Sequence, residues 1–134
     1  MTLYVDSSAL VKRYVDEPES ALAERLLLAD PDWLTANHTF VEVMLTLARR
    51  LAPADLGSAR QAFEADWSRT LVVAVDADVC RRAAVIGMET ETRTLDALHL
   101  AAAERAGGHQ LRMLTFDVRL ADAARSLGFP VIGA

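Results

Sequence analysis

Lysine is almost missing from this chain. Of 14 basic residues only Lys12 is a lysine, and the rest are arginine. Nineteen acids outweigh them and leave a net charge of −5. That balance argues against a broad basic face for tight nonspecific binding of nucleic acid, but not against a nucleic-acid substrate reached through bound cations. Cysteine is nearly absent too. The single Cys80 rules out an intramolecular disulfide, and a cytoplasmic protein is the simple reading. Cys80 lies beside Val79 and Ala83 in a helical pattern, which predicts a buried, inert thiol. No apolar run reaches the roughly 18 residues of a membrane span. The N-terminus lacks the pattern of a secretory signal, because Asp6 interrupts its apolar stretch. There is no His-x-x-x-His or Cys-x-x-Cys pair, which argues against zinc, and no Gly-x-x-x-x-Gly-Lys phosphate loop.

What is present reads as one domain over residues 1–134, half apolar and a quarter charged. Apolar runs alternate with helical patterns, the signature of an α/β domain with a largely parallel sheet. Strands are expected at Leu3–Val5, Trp33–Ala36, Leu71–Val75, Met113–Phe116 and Pro130–Ile132. Helices are expected at Ser8–Tyr14, Ala21–Leu28, Phe40–Leu51, Asp55–Trp67, Ala77–Met88, Leu95–Ala106 and Val118–Leu127, with a polar loop at Glu89–Arg93.

In a parallel sheet every strand ends at one edge. Asp6 ends the first strand and Asp117 follows the fourth. Glu42 lies near the start of the helix after the second strand, and Asp96 opens the helix that runs back before the fourth. All four acids are thereby expected at the carboxyl edge, where such sheets place ligands. Two carboxylates about 4 Å apart repel by roughly 4 kcal/mol at an effective dielectric of 20, so a shared cleft needs protons or cations. Oxygen-only ligands suit Mg²⁺, with Mn²⁺ as the alternative. Each acid also has a plainer reading. Asp6 and Asp117 suit helix N-caps, Glu42 fits a capping box with Thr39, and Asp96 suits a first helical turn.

The opening V-D-S-S-A-L-V-K-R-Y-V-D-E-P resembles the start of PIN-domain proteins, specifically VapC-type toxin ribonucleases. F-V-E-V-M-L-T-L-A-R-R, T-L-D-A-L-H-L-A-A-A, L-T-F-D-V-R-L-A-D-A-A and L-G-F-P-V-I resemble that family's later segments, in the same order. The resemblance implies a three-layer α/β/α sandwich whose five-stranded parallel sheet has the order 3-2-1-4-5. It implies a Mg²⁺-dependent endoribonuclease, the toxin of a toxin–antitoxin pair, that leaves 5′-phosphate and 3′-hydroxyl ends. The family's acidic quartet falls on Asp6, Glu42, Asp96 and Asp117, with Ser7 and Thr115 as supporting hydroxyls. RNA as substrate, a VapB-type antitoxin that inserts a basic side chain into the site, and a homodimer are implied as partners. On the outer third strand, Asp76 and Asp78 are then too distant and read as a helix start.

Two rivals come from other classes. A phosphoacceptor receiver domain needs adjacent acids after strand one and a lysine after the last strand; Ser7 follows Asp6, and Lys12 is the only lysine. A noncatalytic PIN-like binding module would not need the intact quartet. His99 is expected at the cleft rim, His38 and His109 in caps or loops. Lys12, Arg13 and Arg93 read as RNA guides or as solvated charge, Trp33 and Trp67 as base-stacking platforms or core. Asp122 suits a surface ion pair with Arg119 or Arg125.

Overall fold

A computed structural model describes residues 2–134. The chain runs β1 (Leu3–Val5), α1 (Ser7–Tyr14), α2 (Ser20–Leu28), β2 (Trp33–Ala36), α3 (His38–Arg50), α4 (Pro53–Trp67) and β3 (Leu71–Val73). It continues with α5 (Ala77–Thr90), α6 (Thr94–Ala106), a 3₁₀ turn at Gly108–Gln110, β4 (Arg112–Thr115), α7 (Val118–Ser126) and β5 (Val131–Gly133). The sheet order is β3-β2-β1-β4-β5, with every pair parallel, as the resemblance implied. Successive strands step one way to β3 and the other way to β5, so the order reverses between β1 and β4. Ligand crevices of open α/β sheets lie at such a reversal.

Both faces of β1 are covered, which is why it is a short apolar run without alternation. Tyr4 and Met113 point into one core, with Ile86 of α5, Leu100 of α6 and Leu120 of α7. Leu3, Val5 and Leu114 point into the other, with Leu10 of α1, Leu27 of α2, Leu47 of α3 and Phe63 of α4. Three layers follow from this alternation.

Most boundaries fall within two residues of expectation, and the differences have local causes. α4 starts at Pro53, which suits a first helical turn where its missing N–H is not needed. α3 starts at His38, so Thr39 lies inside the helix and its hydroxyl accepts from Thr35 (2.8 Å). The Thr39–Glu42 capping box does not form. β3 ends at Val73, whose carbonyl accepts from Asn37, while the Asn37 side chain takes the Val75 N–H. Cys80 is exposed, contrary to expectation. The buried face of α5 is Val79, Ala83 and Ile86, a four-then-three spacing that leaves Cys80 about 100° around the helix. Arg13 is neither RNA guide nor free charge. It is bound to Asp66 (2.8 Å) and Glu24 (2.7 Å), beneath α2 and α4. Trp67 packs on Phe40 and Phe63, while Trp33 donates its indole N–H to the Leu27 and Asp30 carbonyls. Asp122 pairs with Arg125 at 3.7 Å. Asp76 caps α5 and pairs with Arg105, and Asp78 stands beside Arg81. Gly133 has φ 103°, and a Cβ there would lie 2.4 Å from the Thr115 carbonyl oxygen. Among the described residues no helix is long and apolar enough to cross a membrane.

Candidate active site

Asp6 follows the last residue of β1, and its backbone N–H bonds to the Leu114 carbonyl of the neighbouring β4. Its side chain, 2 % exposed, caps α1 through the Ala9 N–H (3.1 Å). Ser8 donates to it at 2.7 and 2.9 Å, and Thr115 at 2.7 Å. The cap reading of Asp6 is realised, and the same carboxylate also binds the two hydroxyls. Each hydroxyl also accepts a backbone N–H, Ser8 from Phe116 (3.0 Å) and Thr115 from Asp117 (3.1 Å). This lattice ties the first turn of α1 to the end of β4 and leaves no hydroxyl unsatisfied. Burial raises the Asp6 pKa above the ordinary carboxylate value; the His99 ring and the bonds from Thr115, Ser8 and Ala9 oppose the rise without cancelling it.

Glu42, in the second turn of α3, Asp96, in the first turn of α6, and Asp117, the cap of α7, line one open cleft of ≈ 590 Å³ with Thr92, Arg93, Thr94 and Leu95. Asp117 accepts from the Arg119 and Leu120 N–H groups. Burial raises the Asp96 pKa, the negative charge of Asp117 adds to it, and Asp6 contributes a further repulsion. Asp6 is therefore within electrostatic reach of the cleft acids while packed behind them. A second hollow, ≈ 510 Å³, shares Thr92, Arg93 and Asp96 and extends the cleft along α7 past Arg119.

Glu42 is held from behind. His99, 1 % exposed, meets Glu42 Oε1 through Nε2 at 2.8 Å and the Tyr4 hydroxyl through Nδ1 at 2.7 Å. Burial, then the charge of Asp6, pushes the Tyr4 hydroxyl well above its ordinary pKa, so it stays protonated. An ionised Glu42 only accepts, so Nε2 of His99 carries the proton of that bond, and in the neutral ring Nδ1 accepts from the Tyr4 hydroxyl. Burial works against the Glu42 charge, but the His99 bond and the Ser7 hydroxyl help bring its pKa below the ordinary value. His99 is thus not a rim residue. His38, expected in a cap or loop, opens α3 with its Nε2 3.7 Å from the same Glu42 oxygen.

Of the expected residues, the fold brings Glu42, Asp96 and Asp117 to one cleft, sets Asp6 and Thr115 behind it, and puts Ser7 beside Glu42. Ser8, Tyr4 and His38 were not anticipated. For Ser8 the signal was available: in D-S-S, the second serine is the one a helix start turns back to its cap.

A parallel sheet with three acids lining a cleft at its order reversal defines an α/β protein of the class that binds ligands at the carboxyl edge. The PIN domain family model matches residues 3–126. Ribonuclease VapC46 of Mycobacterium tuberculosis is 39 % identical over 131 residues, 97 % of this chain and 95 % of that protein. The solved structure of VapC20 from the same organism, a sarcin–ricin loop cleaving toxin, shares 25 % identity at a TM-score of 0.73, over 90 % of this chain and 94 % of that one. A toxin–antitoxin complex from Klebsiella pneumoniae has the same fold at 21 % identity and a TM-score of 0.67, over 86 % of each chain. The chain belongs to the PIN-domain family, among its VapC ribonucleases.

Proposed function

We propose that the chain is a single PIN domain that hydrolyses RNA phosphodiester bonds at the acidic cleft, as the toxin of a toxin–antitoxin pair, with Mg²⁺ or Mn²⁺ held by Asp6, Glu42, Asp96 and Asp117. The observation that carries this reading is the meeting of Glu42, Asp96 and Asp117 in one open cleft, with the buried Asp6 carboxylate packed behind it. Burial makes the charged forms of Asp6 and Asp96 costly, Asp117 and Asp6 add repulsion at Asp96, and a divalent cation would relieve that cost. The donor set, carboxylates without a thiolate, fits such a hard ion. When bound, the ion supplies Lewis acidity toward the phosphate and lowers the pKa of water.

The chain's own groups do the rest. Ser8, Thr115 and the Ala9 N–H hold Asp6 in one position behind the cleft acids. Thr115 also fixes the Asp117 backbone. His99 turns Glu42 Oε1 inward and keeps the carboxylate charged, so that Glu42 can accept a hydrogen bond from the attacking water. The N-termini of α6 and α7 add partial positive charge at the cleft. Ser7, beside Glu42, supports it as Thr115 supports Asp6.

The partners we assign are RNA, a VapB-type antitoxin and a second copy of the chain, in the cytoplasm. An acidic cleft of this kind suits an antitoxin's basic side chain. Exposed Val41, Leu45, Leu95 and Met88 give apolar surface for association. The test is cleavage of a structured RNA by purified protein. Mg²⁺ should support cleavage, EDTA should stop it, and Asp96→Asn should lower the rate at least about 100-fold, the scale lost with one group of a preorganised polar site. Cleavage unmoved by both EDTA and Asp96→Asn rejects the reading.

A further inference from the structure

Two imidazoles from separate helices face one carboxylate oxygen behind the cleft. One ligand atom each from His38, Glu42 and His99 lies within 4.8 Å of the other two. Nε2 of His99 is 2.8 Å and Nε2 of His38 3.7 Å from Glu42 Oε1, and the two rings stand 4.3 Å apart between centroids. Ligands about 2.1 Å from a common ion stand roughly 3–4 Å apart, so the triad is close to closed.

The second observation is His38 itself. Both its ring nitrogens are buried without a hydrogen-bond partner. The Leu95 carbonyl is near enough to influence the ring but completes no hydrogen bond. Buried polar groups are almost always satisfied, and an ion is one of the few explanations for an exception. A neutral imidazole carries one ring nitrogen whose lone pair can ligate a metal. Two nitrogens and one oxygen differ in kind from the all-carboxylate cleft. Imidazole suits zinc, cobalt, nickel and copper, whereas carboxylates alone suit magnesium and manganese.

We propose that His38, His99 and Glu42 form a second metal site, selective for a nitrogen-preferring divalent ion of the zinc or cobalt kind, which shares Glu42 with the acidic cleft. His99 offers its Nε2 lone pair in the other neutral tautomer. The proton moves to Nδ1, where the Tyr4 oxygen accepts it, so the outer partner that a ligating histidine needs is already in place. An ion here engages Glu42 Oε1 in place of the His99 N–H. It thereby competes with the part Glu42 plays in the cleft and inhibits Mg²⁺-supported cleavage. That inhibitory consequence rests on the nuclease reading; the site itself does not.

The test is titration of the full chain with Co²⁺ in excess Mg²⁺, followed by the visible absorption of nitrogen-ligated cobalt. One equivalent should bind. His38→Ala should weaken binding more than about 100-fold, beyond what loss of an outer partner does, while Asp96→Asn should leave it within about threefold. Absence of the band in the parent protein overturns the proposal. So does a band that survives His38→Ala and vanishes in Asp96→Asn, because the ion then sits among the acids. Should His38→Ala fail to fold, Zn²⁺ titration of the parent protein followed by imidazole ¹⁵N resonances decides the matter. The chain has three histidines. Shifts at His38 and His99 with His109 unmoved support the site; shifts at His109 alone, or at none, refute it. If the band behaves as expected while RNA is never cleaved, the nuclease reading fails and the metal site stands.

Discussion

Replacing Thr115 by valine removes one hydroxyl and keeps the branched shape that β4 packs. Thr115 is wholly buried. Its oxygen donates to Asp6 at 2.7 Å and accepts the Asp117 N–H at 3.1 Å. A hydrogen bond to a charged group contributes about 1.5–3 kcal/mol, and a stranded N–H costs about 1–3 kcal/mol, nearer the lower value at the partly exposed Asp117. The added methyl returns about 0.8 kcal/mol. The balance is a loss of about 2–3 kcal/mol, which for a domain of this size lowers Tm by about 6–12 °C. The loss should also depend on pH in a way that an ordinary packing defect does not. The folded-state pKa of Asp6 lies above its unfolded value, so native Asp6 binds its proton more tightly, and stability falls as pH rises through that interval. Thr115→Val removes a donor to the charged form and raises that pKa further. The gap between parent and variant should therefore be small at pH 4 and widen towards pH 8, in thermal melts recorded by circular dichroism with EDTA present. A Tm loss below about 2 °C, or one that is the same at every pH, would refute the account of Asp6 as a buried anion held by hydroxyls.

At the opposite end of α1, Tyr14→Phe should cost about 1–2 kcal/mol in urea unfolding and leave RNA cleavage unchanged, because its hydroxyl donates only to Asp66 (2.6 Å). Burial would raise the Asp66 pKa, but bonds from Arg13 and Tyr14 bring it below the ordinary value. That contribution is present above the unfolded carboxylate pKa and is lost as pH falls through the folded one, so the variant should begin to unfold at a higher pH during acid titration. Gly133→Ala should destabilise by more than about 2 kcal/mol, since its φ of 103° is strained for alanine and the new Cβ meets the Thr115 carbonyl. Amide exchange should speed up along β4 and β5 in that variant, and unchanged exchange would count against the clash.

The parts of the fold legible in the sequence were those set by local patterns. Leu3–Val5 reads as a buried strand because three apolar residues stop at Asp6, and Trp33–Ala36 is bracketed by Asp30-Pro31 and a helical run. The acid positions were legible because each follows a strand or opens a helix, and parallel order carries such positions to one edge. What was not legible depends on contacts across the fold. His99 and Glu42 are 57 residues apart, and their pairing arises where α6 crosses the start of α3. The i, i+4 spacing of His38 and Glu42 was in plain view, but it reads as a ligand pair only once His99 arrives from another helix. Cys80 was misplaced because adjacency to Val79 says nothing about helix face; the spacing of Val79, Ala83 and Ile86 does. The Glu42 capping box failed because α3 begins two residues earlier than the apolar pattern indicates, a shift that puts Thr39 against Thr35.

Asp6 caps the start of the first helix and tethers it to a central strand, packed behind the acidic cleft. An alanine scan would accordingly misreport this position, since lost folding would masquerade as lost chemistry. Asp96 is the better position at which to test the proposed chemistry, since among the described residues its carboxylate makes no hydrogen bond or ion pair that ties the fold together.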